Sequence, residues 1–124
     1  MLFTTRQATE EEVVAFGQEF IEVNWGVWLG DKLVALFQAE EEPDGWLNVH
    51  ARVLRRTLHP DITKMYAKSF SNRLLELGAT GLKADIPATH RAAIRIAKAA
   101  GFVETGREED RIILTRLPDG NENG

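Results

Sequence analysis

An α+β fold, with helices covering a mostly antiparallel sheet, is what this sequence of 124 residues predicts. Apolar residues alternate with period two through the middle of the chain and recur at helical spacing elsewhere. Capping and turn residues stand between the two kinds of segment. Read in order, the segments run β-α-β-β-β-α-β-α-β-β.

Residues 1–8 open the chain as a strand, with Leu2, Phe3 and two threonines supplying β character. Thr9-Glu10-Glu11-Glu12 matches a capping box, and Val13, Phe16, Phe20 and Ile21 behind it fall near helical spacing. The stretch NWGVWLGDKLVALFQAEEEPDGWLNVHARVL reads as three antiparallel strands, with turns at Gly30-Asp31 and at Glu42-Pro43-Asp44-Gly45. In the third of these, Leu47, Val49, Ala51 and Val53 share one face, and Asn48, His50 and Arg52 share the other. Trp25 and Trp28 have opposite parity, so one is expected in the core and the other at a pocket or an oligomer interface.

A basic loop, Arg55 to Pro60, leads into a helix whose buried stripe is Ile62, Met65, Tyr66, Phe70, Leu74 and Leu77, with Gly78 ending it. Residues 82–86 make a short strand. A third helix then runs from a Thr89 cap to a Gly101 stop, and Phe102 to Thr105 and Arg111 to Leu117 close the chain as a strand pair. No repeat or linker divides the chain, so residues 1–117 are expected to form one domain and residues 118–124 a polar tail.

Composition narrows the function. With 44% hydrophobic and 27% charged residues, a chain of this size buries roughly two thirds of its unfolded surface. The absence of cysteine excludes disulfides and thiolate metal sites, and three scattered histidines do not make a zinc site. No apolar run nears the roughly 20 residues of a membrane span, and MLFTTRQATEEE lacks the layout of a signal peptide, so a cytoplasmic setting is expected. A net charge of −4 argues against nucleic acid as partner. Acidic patches at Glu10 to Glu12, Glu40 to Glu42 and Glu108 to Asp110 would attract a cationic substrate, or serve only solubility.

The element order, and above all ATHRAAIRIAKAAGFVETG with Ala93, Ile94, Gly101 and Phe102, resembles the GNAT (Gcn5-related N-acetyltransferase) superfamily over nearly the whole chain. The small size and the THR opening of this helix are also similar to short GNAT-like proteins of tailed phages. The family resemblance implies an acyl-CoA N-acyltransferase fold in which acetyl-CoA lies where the fourth and fifth strands splay. The pantetheine edge would be Ala51 to Leu54, and the pyrophosphate loop Arg55 to Thr63. That loop contains no glycine, Pro60 lacks an N–H, and Asp61 adds negative charge, so Arg55, Arg56 and Lys64 would hold phosphate with side chains.

The cofactor-binding residues implied are therefore Val53, Leu54, Arg55, Arg56, Thr57, Thr63, Lys64 and His90. His50 is the candidate base, since it projects beside the implied cleft and titrates near neutrality, and Asp85 is placed to orient an amine. The family's frequent tyrosine acid would fall at Ala97, and its opening asparagine at His90. Each of these residues also has a plain structural reading: a half-exposed sheet histidine, a strand-end carboxylate, a capping residue. The function implied is acetyl transfer to an amine, small or on a protein lysine, without metal and with a homodimer as one possible assembly. The alternative is a GNAT-fold protein without catalysis that serves phage structure, assembly or host interaction.

Overall fold

The computed structural model describes residues 2–54 and 57–118. Its elements follow the expected order: β1 (Phe3–Gln7), α1 (Glu10–Ala15), β2 (Val23–Leu29), β3 (Lys32–Glu41), β4 (Trp46–Val53), α2 (Pro60–Glu76), β5 (Gly81–Pro87), α3 (Arg91–Ala99), β6 (Val103–Glu108) and β7 (Arg111–Arg116). The seven strands form one sheet in the order β1-β2-β3-β4-β5-β7-β6. Every neighbouring pair is antiparallel except β4 and β5, which α2 joins as a parallel crossover.

The sheet separates two apolar clusters. On one face α2 and α3 cover Val27, Ala35, Phe37, Leu82, Ala84 and Leu114. At its centre the Trp25 and Phe70 rings stack at 5.9 Å, with Phe37 and Tyr66 against them. On the other face α1 covers Ala8, Val13, Trp28 and Leu36. Val27 and Trp28 serve opposite faces by ordinary strand alternation, the bulge opposite them places both Val34 and Ala35 in the first cluster, and the absent side chain of Gly26 makes room for the Trp28 ring. Trp25 and Trp28 are thus both packed, and neither lines a pocket.

α1 starts as the capping box predicts. Thr9 Oγ1 accepts from the Glu12 N–H at 3.2 Å, and Glu12 Oε1 accepts from the Thr9 N–H at 2.9 Å. Glu12 also pairs with Arg6 at 2.7 Å, and the Arg6 guanidinium lies 3.9 Å over the Trp28 ring. The helix is shorter than its apolar spacing suggests. Gly17, at φ 87°, ends it, so Phe20 falls in the following loop and is 42% exposed.

α2 is rotated from the expected stripe. Thr63, Ala67, Phe70, Ser71 and Leu74 point inward, while Met65 and Leu77 are exposed. Small residues on the inner side let α3 pack beside α2 over the same sheet face. The α3 cap is His90 rather than Thr89, and its side chain makes no capping bond; its N–H donates to the Pro87 carbonyl instead. Gly78 (φ 108°) and Gly101 (φ 95°) follow the ends of α2 and α3 as predicted.

The β4–β5 pair positions everything that follows. Its register covers only Trp46↔Gly81, Leu47↔Leu82 and Asn48↔Lys83, although β4 continues to Val53 and β5 to Pro87. At the paired end the Trp46 ring covers Gly81 so closely that a Cβ there would lie 2.7 Å from it. Thr80 fastens the same end, its N–H donating to the Gly45 carbonyl and its hydroxyl to the Asp44 carbonyl. Gly81→Ala should therefore destabilise the fold by about 1–3 kcal/mol in urea unfolding, because the indole has to shift.

Glu12 supplies an acid-side test. The hydrogen bond from Arg6, helped by the Thr9 N–H, holds its carboxyl at about 2 instead of 4.5. A carboxyl depressed in the folded state contributes stability above its ordinary range and loses that contribution as pH falls toward about 2. The melting-temperature gap between the parent and Glu12→Gln should therefore shrink as pH drops from 4.5 to 2.

Candidate functional site

Hydrogen-bond parity explains what the splayed strands expose. The Leu54 N–H donates to the Val34 carbonyl at 2.9 Å, so even-numbered β4 residues bond to β3. The Val49 N–H serves the Asn48↔Lys83 pair, and the N–H and C=O groups of Ala51 and Val53 consequently point toward β5 past the last paired residue. On the other side the Ala88 N–H donates to the Asp110 carbonyl, so odd-numbered β5 residues face β4. Of these, Pro87 has no N–H, and the Asp85 carbonyl already accepts from Arg111 at 3.1 Å. The gap therefore has a donor-rich edge along β4 and a donor-poor one along β5.

A cleft of about 330 Å³ opens at this gap on the face covered by α2 and α3. Val49, Ala51 and Val53 line it from β4, Ala84 to Pro87 from β5, Thr63 and Ala67 from α2, and Ala93 and Ala97 from α3. Of the residues expected to bind a cofactor, Val53, Thr63 and His90 line the cleft. Leu54, Thr57 and Lys64 do not line it, and Arg55 and Arg56 lie outside the described residues. Thr57 instead closes its own turn, its hydroxyl donating to the Leu54 carbonyl at 2.6 Å.

The start of α2 differs from a phosphate cradle in a way that can be followed atom by atom. Pro60 has no N–H, the Asp61 N–H donates to His59 Nδ1 at 3.1 Å, and the Ile62 and Thr63 N–H groups both donate to the His59 carbonyl. His59 is thus the cap. The amides that an unoccupied helix start would offer an anion are engaged inside the protein.

His50 and Asp85 both line the cleft, and the register places their side chains on the face opposite α2. Asp85 is held by Arg111, whose Nε lies 2.7 Å from Oδ1. His50 stands across from Gln38, a buried residue whose amide donates to the Glu19 carbonyl at 2.7 Å and to Asn24 Oδ1 at 2.8 Å. The loop carrying Glu19 is thereby seated next to His50. Burial pushes the His50 imidazole below its ordinary 6.5, with Glu40 pulling partly the other way. The shift favours the neutral imidazole, the form that can accept a proton.

Sequence reading missed Asn48. It occupies the last paired register position on the His50 face, and its Oδ1 is buried without a hydrogen-bond partner among the described residues. Only its place in the alternation marks it, and that cannot show where pairing stops. Arg111 was missed because its link to Asp85 joins residues 26 apart.

No family model matches the sequence, and no curated protein matches it. Solved structures do. The chain superimposes on an acetyltransferase of the GNAT family from Streptococcus pneumoniae with a TM-score of 0.75 over 94% of this chain and 99% of that one, at 13% identity. The fold is the GNAT fold. AAC(6')-Ib in complex with paromomycin and acetyl-CoA gives a TM-score of 0.73 over 93% of each chain at 12% identity. Ribosomal-protein-S5-alanine acetyltransferase from Vibrio fischeri gives 0.71 at 13% identity, with 78% of this chain matched to 62% of that longer one. The resemblance to phage proteins has no counterpart among these three.

Among the described residues no three His, Cys, Asp or Glu side chains are grouped to hold a metal ion, and no helix is long and apolar enough to cross a membrane. In this GNAT fold the electrostatics of the site centre on His50. Its imidazole should titrate below 6.5 by NMR, and Glu40→Gln should lower the midpoint further by removing the charge that favours protonation.

Proposed function

We propose that the chain is an acetyltransferase that moves an acetyl group from acetyl-CoA to a primary amine. The observation that carries this reading is the register of three residue pairs between β4 and β5, with His50 lining the gap beyond it. The free β4 edge suits an amide-containing pantetheine arm, whose N–H and C=O groups would add to the sheet as a further strand does. The acetyltransferase activities named for the neighbouring structures favour this reading over a GNAT-fold protein without catalysis.

The thioester supplies an activated acyl carbon. The residues of this chain supply position and proton transfer. Unpaired β4 N–H groups orient the donor and polarise its carbonyl oxygen. The amine approaches the His50 face as a cation that Glu40 attracts, gives up one proton to solvent, and as the free base donates an N–H to Asn48 Oδ1. His50 takes the amine proton as the C–N bond forms and the C–S bond breaks. Ala97 offers no acid, so the thiolate leaves into solvent and is protonated there. Asp85, tied to Arg111, holds the β5 edge rather than the amine.

Arg55, Arg56 and Lys64 carry the diphosphate in this reading, because the α2 amides are engaged. The acceptor is a small amine or a protein amine; the neighbours include a spermidine N-acetyltransferase chimera and a ribosomal-protein-alanine acetyltransferase.

Calorimetry with acetyl-CoA tests the donor, and absence of binding at millimolar concentration would overturn the reading. Thiol release with spermidine and with an alanine-terminated peptide tests the transfer. His50→Ala should lower kcat/KM about 10²–10⁴-fold. In the parent the acid limb of kcat/KM should fall below pH 6.5 and move lower still in Glu40→Gln. Full activity of His50→Ala across the pH range would remove His50 as the base.

A further inference from the structure

The cleft is deeper than the β4 edge alone requires. Beyond Val49 and Ala51 it continues between α2 and α3 to a floor formed by Phe37, Phe70 and Phe102, with Ala84, Ala97 and Ala100 around it. His50, Asp85 and His90 belong to its mouth. From Ala93 at the mouth to Ala100 at the far end, α3 advances roughly 10 Å at about 1.5 Å per residue.

The two hydroxyls on the α2 wall have their protons engaged, so neither donates to a ligand. Ser71 Oγ donates to the Ala67 carbonyl at 2.8 Å, and Thr63 Oγ1 donates to the His59 carbonyl at 3.3 Å. A carbonyl or carboxylate driven into this end would lose its water without gaining a donor from these hydroxyls, which is costly, whereas a hydrocarbon would lose nothing. The cleft volume of about 330 Å³ sits at the small end of sites that enclose organic ligands, roughly 300–1,000 Å³.

We propose that the deep end of the cleft takes a linear acyl chain, so that a medium-chain acyl-CoA such as hexanoyl-CoA serves as donor beside acetyl-CoA and binds more tightly. With C–C bonds of about 1.5 Å, a zigzag of about six carbons spans roughly 6 Å and so fits within the roughly 10 Å passage toward the phenylalanine floor. The inference rests on the reading that the β4 edge binds a pantetheine thioester; it specifies the group which that thioester carries. The chain runs from the thioester carbon, held at the gap, down between the two helices. The acceptor amine attacks from the opposite face, so a longer chain does not obstruct it. The reaction balances as for acetyl, with one C–N bond formed, one C–S bond broken and the amine proton passed to His50.

Calorimetric titration with CoA, acetyl-CoA and hexanoyl-CoA separates the outcomes. Each methylene withdrawn from water adds about fourfold to affinity at full burial, so hexanoyl-CoA should bind at least tenfold more tightly than acetyl-CoA. If CoA and acetyl-CoA bind but the hexanoyl advantage is below tenfold or reversed, the acyl-chain site is overturned while the donor reading stands. If none of the three binds, the reading of the β4 edge fails and this inference fails with it. Ala97→Leu, which fills the passage, should cut the hexanoyl-to-acetyl ratio at least fivefold. An unchanged ratio in that variant would place the gain outside the cleft and overturn the proposal, and the ratio in the parent decides the matter if the variant does not fold.

Discussion

Trp46 lying on Gly81 is the contact on which the site depends. It locks β4 and β5 together at one end, and the two Thr80 hydrogen bonds fasten the neighbouring turns at the same point. From that fixed vertex the two strands diverge after three register pairs, while β3 and β7 hold their outer edges in place. The opening is thus the geometry of a sheet fastened at one corner. An unpaired internal strand edge is expensive in water-poor surroundings, and it persists here because it lines a cleft where solvent or a ligand satisfies it.

Two stretches of backbone amides lie near the cleft, and the protein treats them oppositely. At the start of α2 the amides are absent, capped by His59 or bonded to its carbonyl. Along β4 the amides of Ala51 and Val53 have no strand partner among the described residues. The site consequently offers strand-edge amides to an extended ligand and offers no helix-start amides to an anion. The helix rigidly closed by Pro60 and His59 gains a well-defined start, and it gives up the general anion affinity of a helix N-terminus.

The local parts of this architecture were legible in the sequence. The capping box at Thr9, the alternation along β4 and the glycines after α2 and α3 involve residues within one turn or one strand, and their physics is complete at that range. The faces of α2 were misjudged because six apolar residues near helical spacing do not reveal which side meets a second helix; Thr63, Ala67 and Ser71 are small enough to face α3, and Met65 is not needed there. His50 was readable as a histidine on one face. The buried oxygen of Asn48 was not, since it depends on the register at which β5 stops pairing. The Asp85–Arg111 and Gln38–Glu19 links likewise join residues far apart in sequence, and no local pattern announces them.

The sheet also acts as a partition. One cluster of apolar residues binds α2 and α3 to the cleft face, and a separate, smaller cluster binds α1 and Trp28 to the His50 face. Substitutions in residues 16–22, which approach His50 through Glu19 and Gln38, leave the first cluster untouched. Substitutions along α3 leave the second untouched. Because the sheet stands between the two clusters, residues on one face can change without repacking the other. A protein engineer can treat the two halves as independent libraries.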